Sequence, residues 1–334
     1  MFFATFGIWN IQARFMKITV LEDLGRIDGE CSVNNAMHAL EEFGEVTFYS
    51  NTPYDRIVER CAGAQIAIIN KCHMDAAVLR QLPDLRYIGV LATGYNVVDL
   101  DAASEQGITV TNVPAYSTNS VAQMTWAHIL NIINRVGHYA GENHEGRWCR
   151  SESFYYLDGP YHELAGKRMG IVGLGNTGMA TARIALAFGM EVAAFTSKTS
   201  LPDGMRSVPM DELFRTSDIV SLHCPLTAST ANLVNRERLE TMKPTAIVIN
   251  TGRGQLVNEE DLAQALRNGT IAAYGADVLS VEPARSDNPL VTAPNCHLTP
   301  HIAWATVESQ KRLVEVCIEN VRAFLNGRPA NRVN

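Results

Sequence analysis

From Met16 onward, short runs rich in β-branched residues alternate with stretches whose apolar positions recur at helical spacing. KITVL, EVTFYS, QIAIIN, RYIGVLA and ITVTNV are the runs, and Val33–Phe43 and Asp75–Gln81 are among the stretches between them. Runs apolar on both faces, joined by helical crossovers, predict a parallel sheet covered by helices. After Pro114, Ser117–Val136 opens on Ser and Asn and is apolar nearly all round, which predicts a buried helix packed between domains or subunits. Gly137–Gly166 is rich in Gly, His and aromatic residues, has little periodicity, and reads as a linker or cover loop. A second series then begins at Lys167 with RMGIVG, MEVAAF, DIVSL, TAIVIN, IAAYGADV and CHLT, separated by helical stretches such as Ala180–Phe188 and Glu259–Asn268. From His301 to Asn326 the apolar residues Val307, Val314, Ile318, Val321 and Leu325 describe one more amphipathic helix, with no strand to follow it. It is expected to return to the first domain. The fold class is therefore α/β, with two doubly wound, Rossmann-like parallel-sheet domains and a cleft between them.

The 334 residues suffice for two domains, and 46% hydrophobic against 19% charged residues excludes a disordered chain. A net charge of −7 lacks the basic excess that nucleic acid or an anionic membrane surface requires, so neither partner is expected. Seven scattered cysteines, with no C-x-x-C pair, fit reduced thiols in the cytoplasm and no metal site. Residues 1–15 are apolar, but their one basic residue, Arg14, follows the apolar stretch instead of preceding it. They read as an N-terminal extension, not an export signal. No run elsewhere is long and apolar enough to span a membrane.

The sharpest local signal is Gly173-Leu174-Gly175-Asn176-Thr177-Gly178, placed directly after a strand and directly before a helical run. In that setting the glycines allow a tight turn, backbone approach to a pyrophosphate and close helix packing, so a dinucleotide is expected there. A dinucleotide site normally carries an acid about 20 residues on, at the end of the next strand, to bond the adenosine ribose. Here the strand ends Phe195-Thr196-Ser197-Lys198. The acid is missing. A hydroxyl and an ammonium suit a 2′-phosphate, yet Ser197 could equally bond a ribose beside a solvated Lys198, so NAD and NADP both stay open. Arg253, Glu282 and His301 each follow a strand of the second series, at the sheet edge where such folds bind ligands. A guanidinium fork, a carboxylate and an imidazole together are a complete set for reducing a 2-keto acid. His162-Glu163 lacks the second histidine of a zinc helix, Asn268-Gly269-Thr270 reads as a turn and not a glycosylation site, and nothing marks Cys224 as a nucleophile.

These stretches make the chain resemble the D-isomer-specific 2-hydroxyacid dehydrogenase family over residues 16 to 326, and within it the glycerate dehydrogenase (hydroxypyruvate reductase) branch. The matching segments are Ile69 to Lys71, LATGYNVVDL, NVPAYSTNSVAQM, ELAGKRMGIVGLGNTG, HCPLT, INTGRGQLV, ADVLSVEP and TPHIAWAT. The family's Arg, Glu and His are matched by Arg253, Glu282 and His301. The resemblance implies a discontinuous substrate-binding domain, residues 16–113 and 302–334, around an NAD(P)-binding domain, residues 114–301, hinged near Pro114 and Ile302. It also implies that backbone N–H groups of Thr93, Gly94 and Tyr95 hold the substrate carboxylate near Lys71, that Asp277 meets the nicotinamide carboxamide, and that His223, Cys224 and Pro225 line the cofactor cleft with Thr251 and Gly252. Trp304 either walls the substrate pocket or packs as core.

The expected activity is reversible reduction of hydroxypyruvate or glyoxylate to the D-2-hydroxy acid, with the His301–Glu282 pair as acid/base and Arg253 as substrate clamp. The expected assembly is a homodimer. D-3-phosphoglycerate dehydrogenase shares this core chemistry. A non-catalytic, NAD-sensing corepressor shares the fold but has little use for all three side chains, and formate dehydrogenase carries an amide where Glu282 stands.

Overall fold

A computed structural model describes residues 16–22 and 33–334. The predicted extension, residues 1–15, lies outside the described residues, as does Cys31. The chain divides into two compact units, one reaching to Ser117 and taking in Thr306–Asn334, the other Thr118–Ala305.

The first unit holds a five-stranded parallel sheet made of β1 (Lys17–Val20), β2 (Glu45–Phe48), β3 (Ile66–Ile69), β4 (Tyr87–Val90) and β5 (Thr109–Thr111), ordered β2-β1-β3-β4-β5. β3 and β4 are buried at every position, as a central strand covered on both faces must be. The Val307–Leu325 helix belongs here, capped by the Thr306 hydroxyl, which accepts from the Ser309 N–H at 3.3 Å. It packs on β4, and Phe324 lies 4.8 Å from the Tyr87 ring.

The second unit holds seven parallel strands: β6 (Arg168–Val172), β7 (Glu191–Phe195), β8 (Met205–Ser207), β9 (Ile219–Leu222), β10 (Ile247–Asn250), β11 (Ala273–Ala276) and β12 (Cys296–Leu298). Their order is β12-β11-β10-β9-β6-β7-β8. The strand pleat sends Ile247 and Ile249 into one core with Trp126 and Ile129, and Val248 into the other with Leu262 and Leu266, so one run supplies both layers. β8 is missing from the sequence reading, because three residues at a sheet edge, two of them exposed polar, carry no periodic signal.

The Thr118–Asn134 helix packs against the Asn176–Ala187 helix, β10 and β11 of its own unit, which leaves Val121, Met124, Leu130, Ile132 and Ile133 partly exposed. One further expectation needs correcting. The stretch Gly137–Gly166, expected as a linker or cover loop of little periodicity, contains most of a helix, Val136–His144, and a single 3-10 turn, Trp148–Arg150. Polar bonds hold this arm where no apolar stripe could. Arg147 forks onto Asp158 at 2.7 and 2.5 Å, His138 reaches the same carboxylate at 2.7 Å, and the Arg147 guanidinium stacks over Tyr156.

Candidate active site

In a doubly wound sheet, ligands bind outside the carboxyl ends of the strands where the strand order reverses, here between β6 and β9. Gly173 leaves β6 with φ +92°, and a Cβ there would come within 2.8 Å of the His223–Cys224 backbone, so only glycine lets the loop after β9 close in. Gly178 seats the following helix on the Gly173 carbonyl, whereas a Cβ on Gly175 would meet open space. The Asn176–Ala187 helix starts at Gly175 without a side-chain cap. Helices at Asp75, Asp99, Asn235 and Asn258 cap themselves with their own side chains. The open face at Gly175 and the uncapped N–H groups beyond it fit a dinucleotide pyrophosphate.

The other candidate cofactor residues fall on neighbouring edges. His223 continues β9, and its Nε2 hydrogen-bonds with the Ser221 hydroxyl at 2.8 Å. Burial pushes this imidazole down to about 4, so it stays neutral. Burial also pushes the Cys224 thiol up, which keeps it out of nucleophilic chemistry. Pro225 anchors the same loop by accepting from the Thr230 hydroxyl at 2.8 Å. Thr251 is buried and bonded to the Thr125 hydroxyl at 2.8 Å, while Thr196, Ser197 and Lys198 form a turn after β7 in which the Lys198 N–H donates to Thr196 Oγ1 at 3.2 Å.

Arg253 projects from a turn that Asn250 shapes: its amide oxygen accepts from the Gly252 N–H at 3.0 Å, and its amide nitrogen donates to the Arg253 carbonyl at 2.9 Å. The next residue must be glycine, since a Cβ on Gly254 would lie 1.9 Å from the Leu279 carbonyl carbon. That close approach, with Gln255 donating to the Ser280 carbonyl at 2.9 Å, ties the Arg253 loop to the loop after β11 that carries Glu282. The Glu259 carboxylate braces the second loop through the Ser280 N–H and the Asn288 amide.

Glu282 and His301 meet directly. His301 Nδ1 lies 2.6 Å from Glu282 Oε2, while Glu282 Oε1 accepts from the Leu279 N–H at 3.0 Å. Nδ1–H on the carboxylate fixes the ring's orientation and leaves Nε2 available. His301 sits at φ +55°, a left-handed conformation that a non-glycine residue adopts only under constraint. The constraint is Asp277, whose backbone carbonyl accepts from the His301 N–H and whose side chain accepts from Ile302 N–H at 3.0 Å, Ala303 N–H at 2.7 Å and the Thr299 hydroxyl at 2.5 Å. Thr299 takes its own bond from His128 Nε2 at 3.1 Å; burial pushes His128 down, so it serves as a neutral donor. Trp304 donates its indole N–H to the His301 carbonyl at 2.9 Å.

The structure thus brings Glu282 and His301 into contact and packs the Arg253 loop against the Glu282 loop. Asp277 is only 1% exposed and its bonds run to the His301 turn. Sequence reading assigned Asp277 to the nicotinamide and missed its bonds to this turn, along with Asn250, Glu259 and Thr299. A polar residue inside an apolar strand end was the available clue. Lys71, Thr93, Gly94 and Tyr95 lie in the first unit, after β3 and β4. Thr93 donates its hydroxyl to the Val113 carbonyl at 3.1 Å, Tyr95 is exposed, and the Lys71 N–H donates to Glu22 Oε2 at 2.6 Å.

The model of the D-isomer specific 2-hydroxyacid dehydrogenase NAD binding domain matches residues 126–303. The hydroxypyruvate reductase of Blautia hydrogenotrophica is 43% identical over 327 residues, covering 96% of this chain and all of that one. This chain belongs to the D-isomer specific 2-hydroxyacid dehydrogenase family. The glycerate dehydrogenase of Methylorubrum extorquens is 41% identical over 319 residues, with 95% and 99% of the two chains covered. Among solved structures, the TT0316 protein of Thermus thermophilus superposes with a TM-score of 0.86 at 35% identity, over 96% of this chain and 100% of that one. The chain is therefore an NAD(P)-dependent 2-hydroxyacid dehydrogenase, similar to glycerate dehydrogenase. Among the described residues no helix is long and apolar enough to cross a membrane, and no group of His, Cys, Asp and Glu is placed to hold a metal ion.

Proposed function

We propose that the enzyme reduces hydroxypyruvate, or glyoxylate as a close relative, to the D-2-hydroxy acid, reversibly and in the cytoplasm. The observation that carries this reading is the 2.6 Å contact of His301 with Glu282 on the strand edge that also bears the glycine turn and Arg253. Gly173, Gly175, Asn176, Thr177 and Gly178 would hold the pyrophosphate of NAD(P)H, and the bound nicotinamide supplies the hydride. Arg253 pairs its planar fork with the substrate carboxylate and polarises the keto group. As charge develops on the keto oxygen, His301 donates a proton from Nε2 while Glu282 balances the imidazolium; in the oxidation direction neutral Nε2 takes the proton back. We extend the proposal to substrate contacts at Lys71, the Thr93–Tyr95 loop and Trp304.

A homodimer is part of the same proposal. Its support is the arm after the Thr118–Asn134 helix, which exposes Trp148, Phe154, Tyr155, Leu157 and Tyr161 on a frame already rigidified by Asp158. Exposed aromatics on a preorganised frame suit a protein interface. Sedimentation as a monomer would overturn this part alone.

The test of the activity is a set of initial rates at 340 nm for hydroxypyruvate, glyoxylate, pyruvate and the reverse reaction on 3-phosphoglycerate. The highest specificity constant is expected for hydroxypyruvate. A preference for 3-phosphoglycerate would overturn the substrate assignment, and no turnover with any of them would overturn the function.

A further inference from the structure

We propose that the Thr118–Asn134 helix holds two reactive loops in register, with Thr125 as a positioning residue for Arg253 and His128 as a positioning residue for His301. The inference rests on the roles proposed above for Arg253 and His301 and adds the groups that place them. Thr125 and His128 stand three residues apart, so they share one face of the helix. Both are buried, on a helix that packs the neighbouring Trp126 and Ile129 into an apolar core. Buried polar side chains need partners, and these two find theirs at the ends of two different strands. Thr125 Oγ1 lies 2.8 Å from the hydroxyl of Thr251, the first residue after β10. His128 Nε2 lies 3.1 Å from the hydroxyl of Thr299, the first residue after β12. Arg253 and His301 each follow two residues further on.

Thr299 gives its one hydroxyl proton to Asp277 Oδ1 at 2.5 Å, so the bond with His128 must be donated by Nε2–H. Asp277 in turn accepts from the Ile302 and Ala303 N–H groups, so a donor on the helix reaches the His301 turn through one hydroxyl and one carboxylate. Thr251 leads into the turn in which Asn250 holds the Gly252 N–H and the Arg253 carbonyl, so its side-chain bond fixes where that turn begins. β11 makes room for the helix: a Cβ on Gly275 would come within 2.9 Å of His128 Cβ. An apolar side chain at position 128 would suit the core and leave Thr299 without its donor. Sequence reading took this helix as apolar nearly all round and gave Thr125 and His128 no role, because their partners lie 126 and 171 residues away.

The test is steady-state kinetics with hydroxypyruvate, with cofactor Kd by fluorescence and a urea titration for each variant. His128→Leu should lower kcat by about three- to tenfold at nearly constant KM, because proton donation acts only in the transition state. His128→Gln, which keeps an N–H donor, should recover most of that loss. Thr299→Val cuts the same link from its other end; it should be at least as slow as His128→Leu, and the double variant no slower than Thr299→Val alone. Thr125→Val should instead raise KM by about three- to tenfold with a smaller change in kcat, since Arg253 holds the carboxylate in ground state and transition state alike, and Thr125→Ser should restore it. Wild-type kcat in His128→Leu, or losses that add in the double variant, would overturn the link to His301; should His128→Leu not fold, Thr299→Val and His128→Gln carry the same test. An unchanged KM in Thr125→Val would overturn the link to Arg253. Losses that the Gln and Ser variants fail to recover, or that follow a weaker cofactor Kd, would overturn both links and leave the dehydrogenase reading standing. A wild-type chain that turns over none of the keto acids would overturn that reading as well.

Discussion

The two sheets obey one topological rule and treat its consequence in opposite ways. Strand order reverses between β1 and β3 in the first unit and between β6 and β9 in the second, so each has a crevice at its strand ends. In the first, Glu22, just after β1, places one carboxylate oxygen on the N–H groups of Asn70, Lys71 and Cys72 at 2.7, 2.6 and 2.8 Å. The chain supplies its own anion. In the second, no side chain caps the helix at Gly175, and a Cβ there would touch nothing. The backbone donors in the second crevice are left for a ligand, so the fold provides two crevices and the side chains decide which one suits a dinucleotide.

The comparison breaks most sharply at His301. His301→Ala should lower turnover by about 10²- to 10⁴-fold while NAD(P)H affinity measured by fluorescence stays unchanged. Near-normal turnover would remove the second unit's edge from the chemistry.

Asp277→Asn comes next, because an amide must turn an N–H toward the donors of Ile302, Ala303 or Thr299. Stability should fall by about 1–3 kcal/mol in urea titrations. Turnover should fall about tenfold to a hundredfold at nearly constant KM as the His301 turn loosens, because small displacements of a catalytic group are that costly. A rise in cofactor Kd without a change in turnover would favour nicotinamide contact as the role of Asp277.

Acid sharpens the comparison within the second unit. His223 is held at about 4 when folded, against an ordinary value of 6.5. Between those values the unfolded chain binds the extra proton, so stability should be full above pH 6.5, decline toward pH 4 and then level off. The loss attributable to this half-buried ring is on the order of 1–2 kcal/mol. Urea titrations at pH 7 and pH 5 should differ less for His223→Gln; an unchanged difference would remove His223 as the cause.

The smallest effect belongs to the first unit. Glu22→Gln keeps an acceptor for the three N–H groups but loses its charge, costing about 0.5–1.5 kcal/mol with cofactor Kd unmoved. A large change in cofactor affinity would show that the first crevice takes part in holding the cofactor.

Much of the fold was legible because its signals are local. Continuous apolar runs marked β3, β4, β9, β10 and β11, helical spacing marked Val307–Leu325, and the glycine turn announced itself by following a strand. The 136–144 helix was not legible, because its stability comes from Asp158, which lies beyond its end in the chain.

By itself the sequence determined two doubly wound units, a dinucleotide turn, the absence of an acid after β7, and the Arg253, Glu282 and His301 set. Each follows from residue type and short spacing, which survive without knowledge of the fold. Tertiary structure alone decided that His301 Nδ1 meets Glu282, that buried Asp277 shapes the histidine turn, that Arg183 joins Lys198 at one cavity, and that Glu22 caps the N–H groups after β3. Those facts are distances between groups far apart in the chain, set by packing and by the need to satisfy buried donors, and no local pattern encodes them.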